Sequence, residues 1–222
     1  MFFLLFAVKF ARATGDIKMK VLLINGSPHE KGCTYTALKE VAGALEKNGI
    51  ETQIFHIGKG MVHGCVACGA CAKLQRCAFD DDPANEMLQL MREADGIVIG
   101  SPVYYAGPNG ALCALLDRAF VASKGSLAFK PAAAIASARR GGVTTTFDRL
   151  NKYFTINRMP IVSSQYWNGV HGSQADDVAQ DEEGLQTMRT LGYNMAWMLK
   201  SIAAAKEPLP EIEPTKRTNF IR

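Results

Sequence analysis

The sequence predicts a doubly wound α/β fold, one parallel sheet of five strands with helices on both faces. Three observations carry that prediction. From Lys20 onward short apolar runs alternate with stretches of helical periodicity, which is how strands joined by crossover helices read. Most of the runs are continuously apolar rather than alternating, as strands covered on both faces are. The segments that leave the first, third and fourth runs are rich in Gly, Ser, Tyr and Arg, and open α/β sheets bind ligands at the carboxyl ends of their strands.

The expected strands are Val21 to Asn25, Thr52 to Ile57, Gly96 to Gly100, Ala132 to Ser137 and Ile161 to Ser164. The first helix, Thr34 to Asn48, places Leu38, Val41, Ala42 and Leu45 on one face and stops at Asn48-Gly49, a good carboxyl-terminal signal. The next starts at Asp82-Pro83, where the acid supplies a cap and proline suits the first helical position, and Met87, Leu90, Met91 and Ala94 form its stripe. Further helices are expected at Asn109 to Ala122, Thr144 to Asn157, and Asp181 to about Ala205. The last packs by Leu185, Met188, Met195, Leu199 and Ile202, a stripe that reads as core.

Composition bounds the possibilities. With 222 residues, 48% hydrophobic and 21% charged, the chain supports a packed core, and disorder is excluded as the whole account. The net charge of +4 is spread along the chain without a basic stripe, so no nucleic-acid partner is expected. The longest apolar run, Met1 to Val8, falls short of the roughly 18 to 20 residues a membrane-spanning helix needs, so no membrane partner is expected either. Residues 1–18 precede a fresh start at Met19. A secretory signal carries its positive charge ahead of the apolar region, whereas Lys9 and Arg12 follow it here. The segment therefore reads as an upstream extension from a misplaced start, with a weak signal as the alternative, and the expected location is cytoplasmic. Residues 19–205 form one domain with a cysteine-rich insertion at 58–82, and 206–222 form a proline-rich tail.

Three segments leave the carboxyl ends of strands. Ser27, His29, Gly32, Cys33 and Thr34 lie in the first, which combines hydroxyls with a helix N-terminus whose free amides attract an anion. It lacks both GxGxxG and GxxxxGK[ST], so neither a dinucleotide-binding dehydrogenase nor a nucleotide-hydrolysing enzyme fits; an ordinary capped turn is the bland alternative. The second segment holds Pro102, Val103, Tyr104 and Tyr105, a stiff, partly apolar edge suited to a planar ring. The third holds Arg139, Gly141 and Gly142, where a guanidinium supplies positive charge.

The motifs MKVLLINGSPxxxGxT, SPVYYAGPNGALCALLDR and ARRGG, in that order from Met19 to about Lys200, resemble the flavodoxin-like NAD(P)H-dependent FMN reductases. The resemblance implies that Ser27, His29, Gly32, Cys33 and Thr34 form the FMN phosphate loop. Pro102, Val103, Tyr104 and Tyr105 would line the isoalloxazine, and Arg139, Gly141 and Gly142 would close the site. Family members often carry Arg where His29 stands and Asn or Ser where Cys33 stands. An imidazole is only partly charged near neutrality, which implies a weaker or more pH-dependent grip on phosphate. Cys33 begins a helix, where a thiol pKa can be depressed, although a passive place in the loop is the main reading.

Four of six cysteines crowd into Cys65, Cys68, Cys71 and Cys77, a C-x2-C-x2-C-x5-C spacing that lets one loop wrap a compact cluster with soft thiolate ligands. Zinc fits less well, because its four-cysteine sites usually come as two separated knuckles, and disulfides are rare in the cytoplasm. The spacing is similar to the motif of the iron–sulfur flavoproteins, a branch of the same family whose four cysteines hold a [4Fe-4S] cluster. A cluster-free role in packing, subunit contact or thiol redox chemistry stays open. Cys113 reads as a small core residue, Asp80 to Asp82 as acids at a helix start, and His63 as solvent-exposed. Ser163 to Gly172 is too polar and aromatic for a routine connector, and it either borders the flavin or packs.

The expected activity is that of an FMN-dependent oxidoreductase moving electrons between NAD(P)H, or a small carrier, and an acceptor. The cofactor carries the chemistry, so no acid–base residue is required. The alternatives are a cluster-free NAD(P)H:FMN or quinone reductase and, from another class, a non-enzymatic electron carrier or redox sensor. Quinone or a ferredoxin-like protein are the redox partners considered, and the resemblance implies a homodimer or homotetramer.

Overall fold

The computed structural model of the protein describes residues 18–211 together with 213, 214, 216 and 218. Of the segment expected as an N-terminal extension, 1–18, only Lys18 falls among them. Among the described residues, six strands and seven helices run in the order β1 (Lys20–Asn25), α1 (Cys33–Glu46), β2 (Glu51–His56), α2 (Cys71–Leu74), α3 (Ala84–Glu93), β3 (Gly96–Tyr104), β4 (Gly107–Pro108), α4 (Gly110–Ser123), β5 (Ala132–Ala138), α5 (Val143–Ile156), β6 (Gly169–His171), α6 (Ala175–Val178) and α7 (Glu182–Ala204). Five strands pair in parallel in the order β2-β1-β3-β5-β6, and β4 folds back antiparallel on β3. The doubly wound sheet is as expected, with β4 as an addition.

The pleat of β1 explains the layering. Leu22 and Ile24 point into a cluster with Met87, Leu88 and Met91 of α3, Leu112, Leu115 and Leu116 of α4, and Leu150 and Phe154 of α5. Val21 and Leu23 point the other way, onto Leu38, Val41 and Leu45 of α1 and Met188, Leu191, Met195 and Leu199 of α7. Each of these large side chains is buried and contributes roughly 1.5–3 kcal/mol. With both faces covered, all seven residues of β5 are buried, hence a run that is apolar but for Ser137. The methionine stripe of α7 is core, and no described helix is long and apolar enough to cross a membrane.

The fifth strand departs from expectation. Ile161 to Ser164 makes only one bridge to the sheet, at Ala132, and the fifth ladder lies at Gly169–His171. The buried Asn168 is the reason. Its side chain donates to the Ala134 carbonyl at 3.1 Å and accepts from the Ser164 hydroxyl at 2.6 Å, while its own carbonyl accepts from the Ala136 amide. Asn168 thus takes the place of a main-chain partner, and residues 163–167 loop away from the edge. The third strand is longer than expected, running to Tyr104, because the tyrosine segment belongs to a hairpin with β4.

Candidate functional site

The first loop is built on Asn25, the last residue of β1 and fully buried. Its carboxamide accepts from the Ser27 amide at 3.1 Å and donates to the Glu30 carbonyl at 3.0 Å, closing the loop on itself. His56 from β2 donates to the Ser27 carbonyl at 2.8 Å, and the Ser27 hydroxyl accepts from the His29 amide at 3.1 Å. Gly32 then starts α1 with no side-chain cap, and the amides of Cys33, Thr34 and Tyr35 find no acceptor among the described residues. Free amides and the helix dipole make this end a favourable place for an anion.

Two predicted loop residues are turned to internal duty. The Thr34 hydroxyl is buried against Ser137 Oγ at 2.8 Å, tying α1 to β5. The Cys33 thiol donates to the Gly172 carbonyl at 3.7 Å. Burial pushes that thiol above its ordinary pKa and the nearby Asp177 carboxylate adds to the rise, opposite to the lowering a helix N-terminus can give.

The second loop is a tight hairpin in which Val103 pairs with Pro108 and Tyr104 with Gly107. Its two central residues, Tyr105 and Ala106, have φ of 49° and 58°. A two-residue turn with both φ positive matches the right-handed twist of the strands, but it favours Asn-Gly, so Tyr-Ala stores strain. At the tip of the turn Tyr105 stands fully in solvent beside the half-exposed Tyr104, while Pro102 and Val103 are half-buried. The third loop packs against this hairpin. Gly142 sits at φ 89°, and a Cβ there would lie 2.7 Å from Val103 Cγ1 and 2.8 Å from Ala106 Cα. Arg139, Arg140 and Gly141 are exposed, and the Thr145 hydroxyl donates to the Ala106 carbonyl.

Asn109 joins the loops. Its Nδ2 donates to the Gly26 carbonyl at 2.8 Å, its Oδ1 caps α4 through the Ala111 amide at 3.1 Å, and its own amide donates to Ser101 Oγ at 2.9 Å. The Gly26 amide bonds the Gly100 carbonyl, and a side chain at Gly26 would strike Leu112 at 2.4 Å. All three predicted segments therefore meet at the carboxyl ends of the inner strands β1, β3 and β5. Beside them, Arg140, Gly142, Tyr166, Trp167, His171 and Asp181 contribute to a cavity of about 300 Å³ between α5, β6 and α7.

The cysteine-rich insertion crosses the foot of α3 and α4. Cys65 and Cys68 are exposed, Cys71 and Cys77 half-buried, and all four are free thiols. Their sulfurs do not converge, and no group of three metal-binding side chains is gathered among the described residues. Cys77 alone is held on every side. Asn85 accepts from its amide at 2.8 Å and donates to its carbonyl at 3.2 Å, and Arg118 donates from Nε to its sulfur at 3.1 Å. His63 is solvent-exposed, as expected, and it stacks on Phe79 and pairs with Asp81 at 2.9 Å. Asp82, one residue before the Pro83 N-cap of α3, accepts from the Ala84 amide and pairs with Arg118. Burial works to raise the Asp82 carboxyl, but bonds from Arg118, His63 and Ala84 win and hold it below the ordinary carboxylate range.

Sequence reasoning assigned no role to Asn25, His56, Asn85, Asn109 or Arg118. Arg118 carries a visible signal, a cation three residues after Leu115 on the apolar face of α4. Asn109 carries another, an N-cap residue at a helix start.

Comparison with known proteins identifies the family. Residues 19–174 match the model of the NADPH-dependent FMN reductase family. An iron–sulfur flavoprotein of Methanocaldococcus jannaschii is 34% identical over 192 residues, covering 83% of this chain and 99% of the relative. An iron–sulfur flavoprotein of Methanosarcina thermophila is 31% identical over 193 residues, covering 83% and 97%. A solved flavodoxin from the domain Archaea superposes with a TM-score of 0.57 at 16% identity over 82% of this chain and 99% of its own, a likeness of fold. The chain thus belongs to the NADPH-dependent FMN reductase family, in its iron–sulfur flavoprotein branch, and is an FMN-binding oxidoreductase.

Proposed function

We propose that this oxidoreductase holds FMN across the three loops and a [4Fe-4S] cluster on Cys65, Cys68, Cys71 and Cys77. It would move electrons between a nicotinamide, or a small carrier, and an acceptor of the quinone or ferredoxin-like class. The observation that carries the reading is the meeting, at the carboxyl ends of β1 and β3, of an uncapped helix N-terminus with an exposed tyrosine hairpin. When bound, FMN supplies hydride acceptance and electron transfer, and the cluster supplies one-electron storage.

The residues divide the work. The amides of Cys33, Thr34 and Tyr35 would take the phosphate, with Asn25, Ser27, His56 and Gly32 keeping the loop in shape. Tyr104 and Tyr105 would stack against the ring, over a floor of Pro102 and Val103. Arg139, Gly141 and Gly142 would close the third side, where the glycine backbone lies against the hairpin. For the cluster, four free thiols within thirteen residues are the soft donor set it requires, and a buried guanidinium already aims at one of them. Binding would then close the loop that carries Cys65, Cys68 and Cys71. A cluster-free NAD(P)H-dependent reductase is the second reading, favoured by the separation of the sulfurs.

The test is to purify the protein anaerobically and measure FMN, iron and acid-labile sulfide per chain. About one FMN with four iron and four sulfide supports the first reading. FMN without iron, with rapid NAD(P)H oxidation, selects the second. Protein that binds no FMN refutes both.

A further inference from the structure

Arg118 lies on α4 among Leu115, Leu116 and Ala119, where an apolar side chain would be expected. Its side chain is 1% exposed and that of its partner, Asp82, 0%. Beyond that ion pair its donors go to the carbonyls of His63 at 3.1 Å and Phe79 at 3.2 Å, and its plane lies over the Phe79 ring at 5.6 Å. Of the two N–H donors that remain, Nε–H points at Cys77 Sγ from 3.1 Å, and the second on Nη2 has no acceptor among the described residues.

A neutral thiol is a poor acceptor for a buried guanidinium, whereas a thiolate is a good one. Burying an ion pair is expensive unless its donors are met, and after Asp82 and two carbonyls the Cys77 sulfur is the acceptor that meets Nε–H. The geometry is not incidental to a mobile loop, because Asn85 fixes both the amide and the carbonyl of Cys77. Cys77 is thus set in place ahead of the other three cysteines, backbone by Asn85 and sulfur by Arg118.

We propose that Arg118 is a positioning residue for the iron–sulfur cluster, whose hydrogen bond to the Cys77 sulfur favours the reduced, more negative state and so raises the cluster's reduction potential. The inference rests on the cluster reading above. A cluster with four thiolates carries a charge of about −2 oxidised and −3 reduced. One electron enters, no bond forms or breaks, and no proton moves; in the titration below dithionite supplies the electron. Hydrogen bonds to sulfur and nearby positive charge are established levers on such potentials.

The experiment compares wild type and Arg118→Lys, both purified anaerobically, with iron, sulfide and FMN counted first. Lysine keeps the charge and loses the planar fork that reaches Cys77, Asp82 and two carbonyls together. With iron content unchanged, the expected result is about a tenfold fall in the reduced-to-oxidised ratio at fixed potential, or about 59 mV for one electron. A second measurement needs no variant. In wild type labelled with [15N]arginine, pulsed electron paramagnetic resonance of the reduced cluster should show a nitrogen coupling carried through the N–H···S bond. Fully loaded wild type without that coupling, or a loaded variant whose ratio moves by less than about twofold, overturns the role of Arg118 and leaves the cluster reading intact. Wild type without iron overturns both. If the variant loses its cluster, the wild-type coupling alone decides.

Discussion

Asn109 is the position where one substitution should separate local stability from flavin binding. Truncation to alanine removes the α4 cap, worth about 1 kcal/mol. It also leaves the buried Gly26 carbonyl without its partner, at about 1–3 kcal/mol. The expected loss is about 2–4 kcal/mol from a total that for such domains is about 5–15 kcal/mol. Serine keeps a capping oxygen but is too short to reach Gly26, so Asn109→Ser should lose about 1 kcal/mol less than Asn109→Ala. Urea unfolding of the apoprotein with a common slope measures both. Repeating the titration with FMN measures binding, because a ligand at a hundred times its Kd adds about 2.7 kcal/mol. At one fixed FMN concentration that gain should shrink in both variants, since loop one is no longer pinned to loop two. Equal losses for alanine and serine would refute the capping share. Losses under about 0.5 kcal/mol, or an unchanged gain from FMN, would refute the pinning itself.

Gly142→Ala should destabilise by about 2 kcal/mol or more, because a Cβ meets Val103 and the Ala106 backbone at a left-handed φ. Gly141→Ala, with open space around it, should stay within about 0.5 kcal/mol in the same urea assay. Replacing Tyr104 and Tyr105 together by alanine should leave unfolding nearly unchanged, since both are exposed. FMN affinity, followed by flavin fluorescence, should fall at least about tenfold, or 1.4 kcal/mol; undiminished affinity would remove the hairpin from the site. The acid limb of stability should depend on Asp82. Its folded pKa lies below the unfolded value of about 3.9, so its contribution is complete above that pH and is lost as pH falls through the folded value. The stability difference between wild type and Asp82→Asn should therefore be constant from about pH 5 to 7 and shrink below about pH 4.

What could be read in the sequence follows from how local the determinant is. β1, α1, α5 and α7 were legible to within a residue or two because periodicity, caps and stop signals lie inside each element. The fifth strand was not, because its place depends on Asn168 bonding to Ala134 and Ser164, a tertiary choice that the apolar run from Ile161 does not record. The three loops were legible as segments, since residue type at a strand end is a local property. Which atom does what was not. Thr34 looked like a hydroxyl for phosphate, and the fold uses that hydroxyl on Ser137, 103 positions away. The same limit hid Arg118, whose partners His63, Cys77, Phe79 and Asp82 come from a loop 36 to 55 positions earlier in the chain.

α4 gives these separate observations a common frame. Its cap, Asn109, holds the first two loops together, and Arg118, nine positions on, holds Cys77 and the insertion. At 1.5 Å per residue the two anchors stand roughly 13 Å apart along the axis. A helix with Leu112, Leu115 and Leu116 fully buried cannot slide or bend without opening the core. The spacing between the first two loops and the cysteine loop is therefore set by a core element and not by the loops themselves. An insertion that moved Arg118 by one position would turn it about 100° off its partners and bring Asp82 out of register. The exposed cysteines can rearrange around such a fixed pair of anchors, which is why the chain can leave Cys65 and Cys68 open while holding Cys77 still.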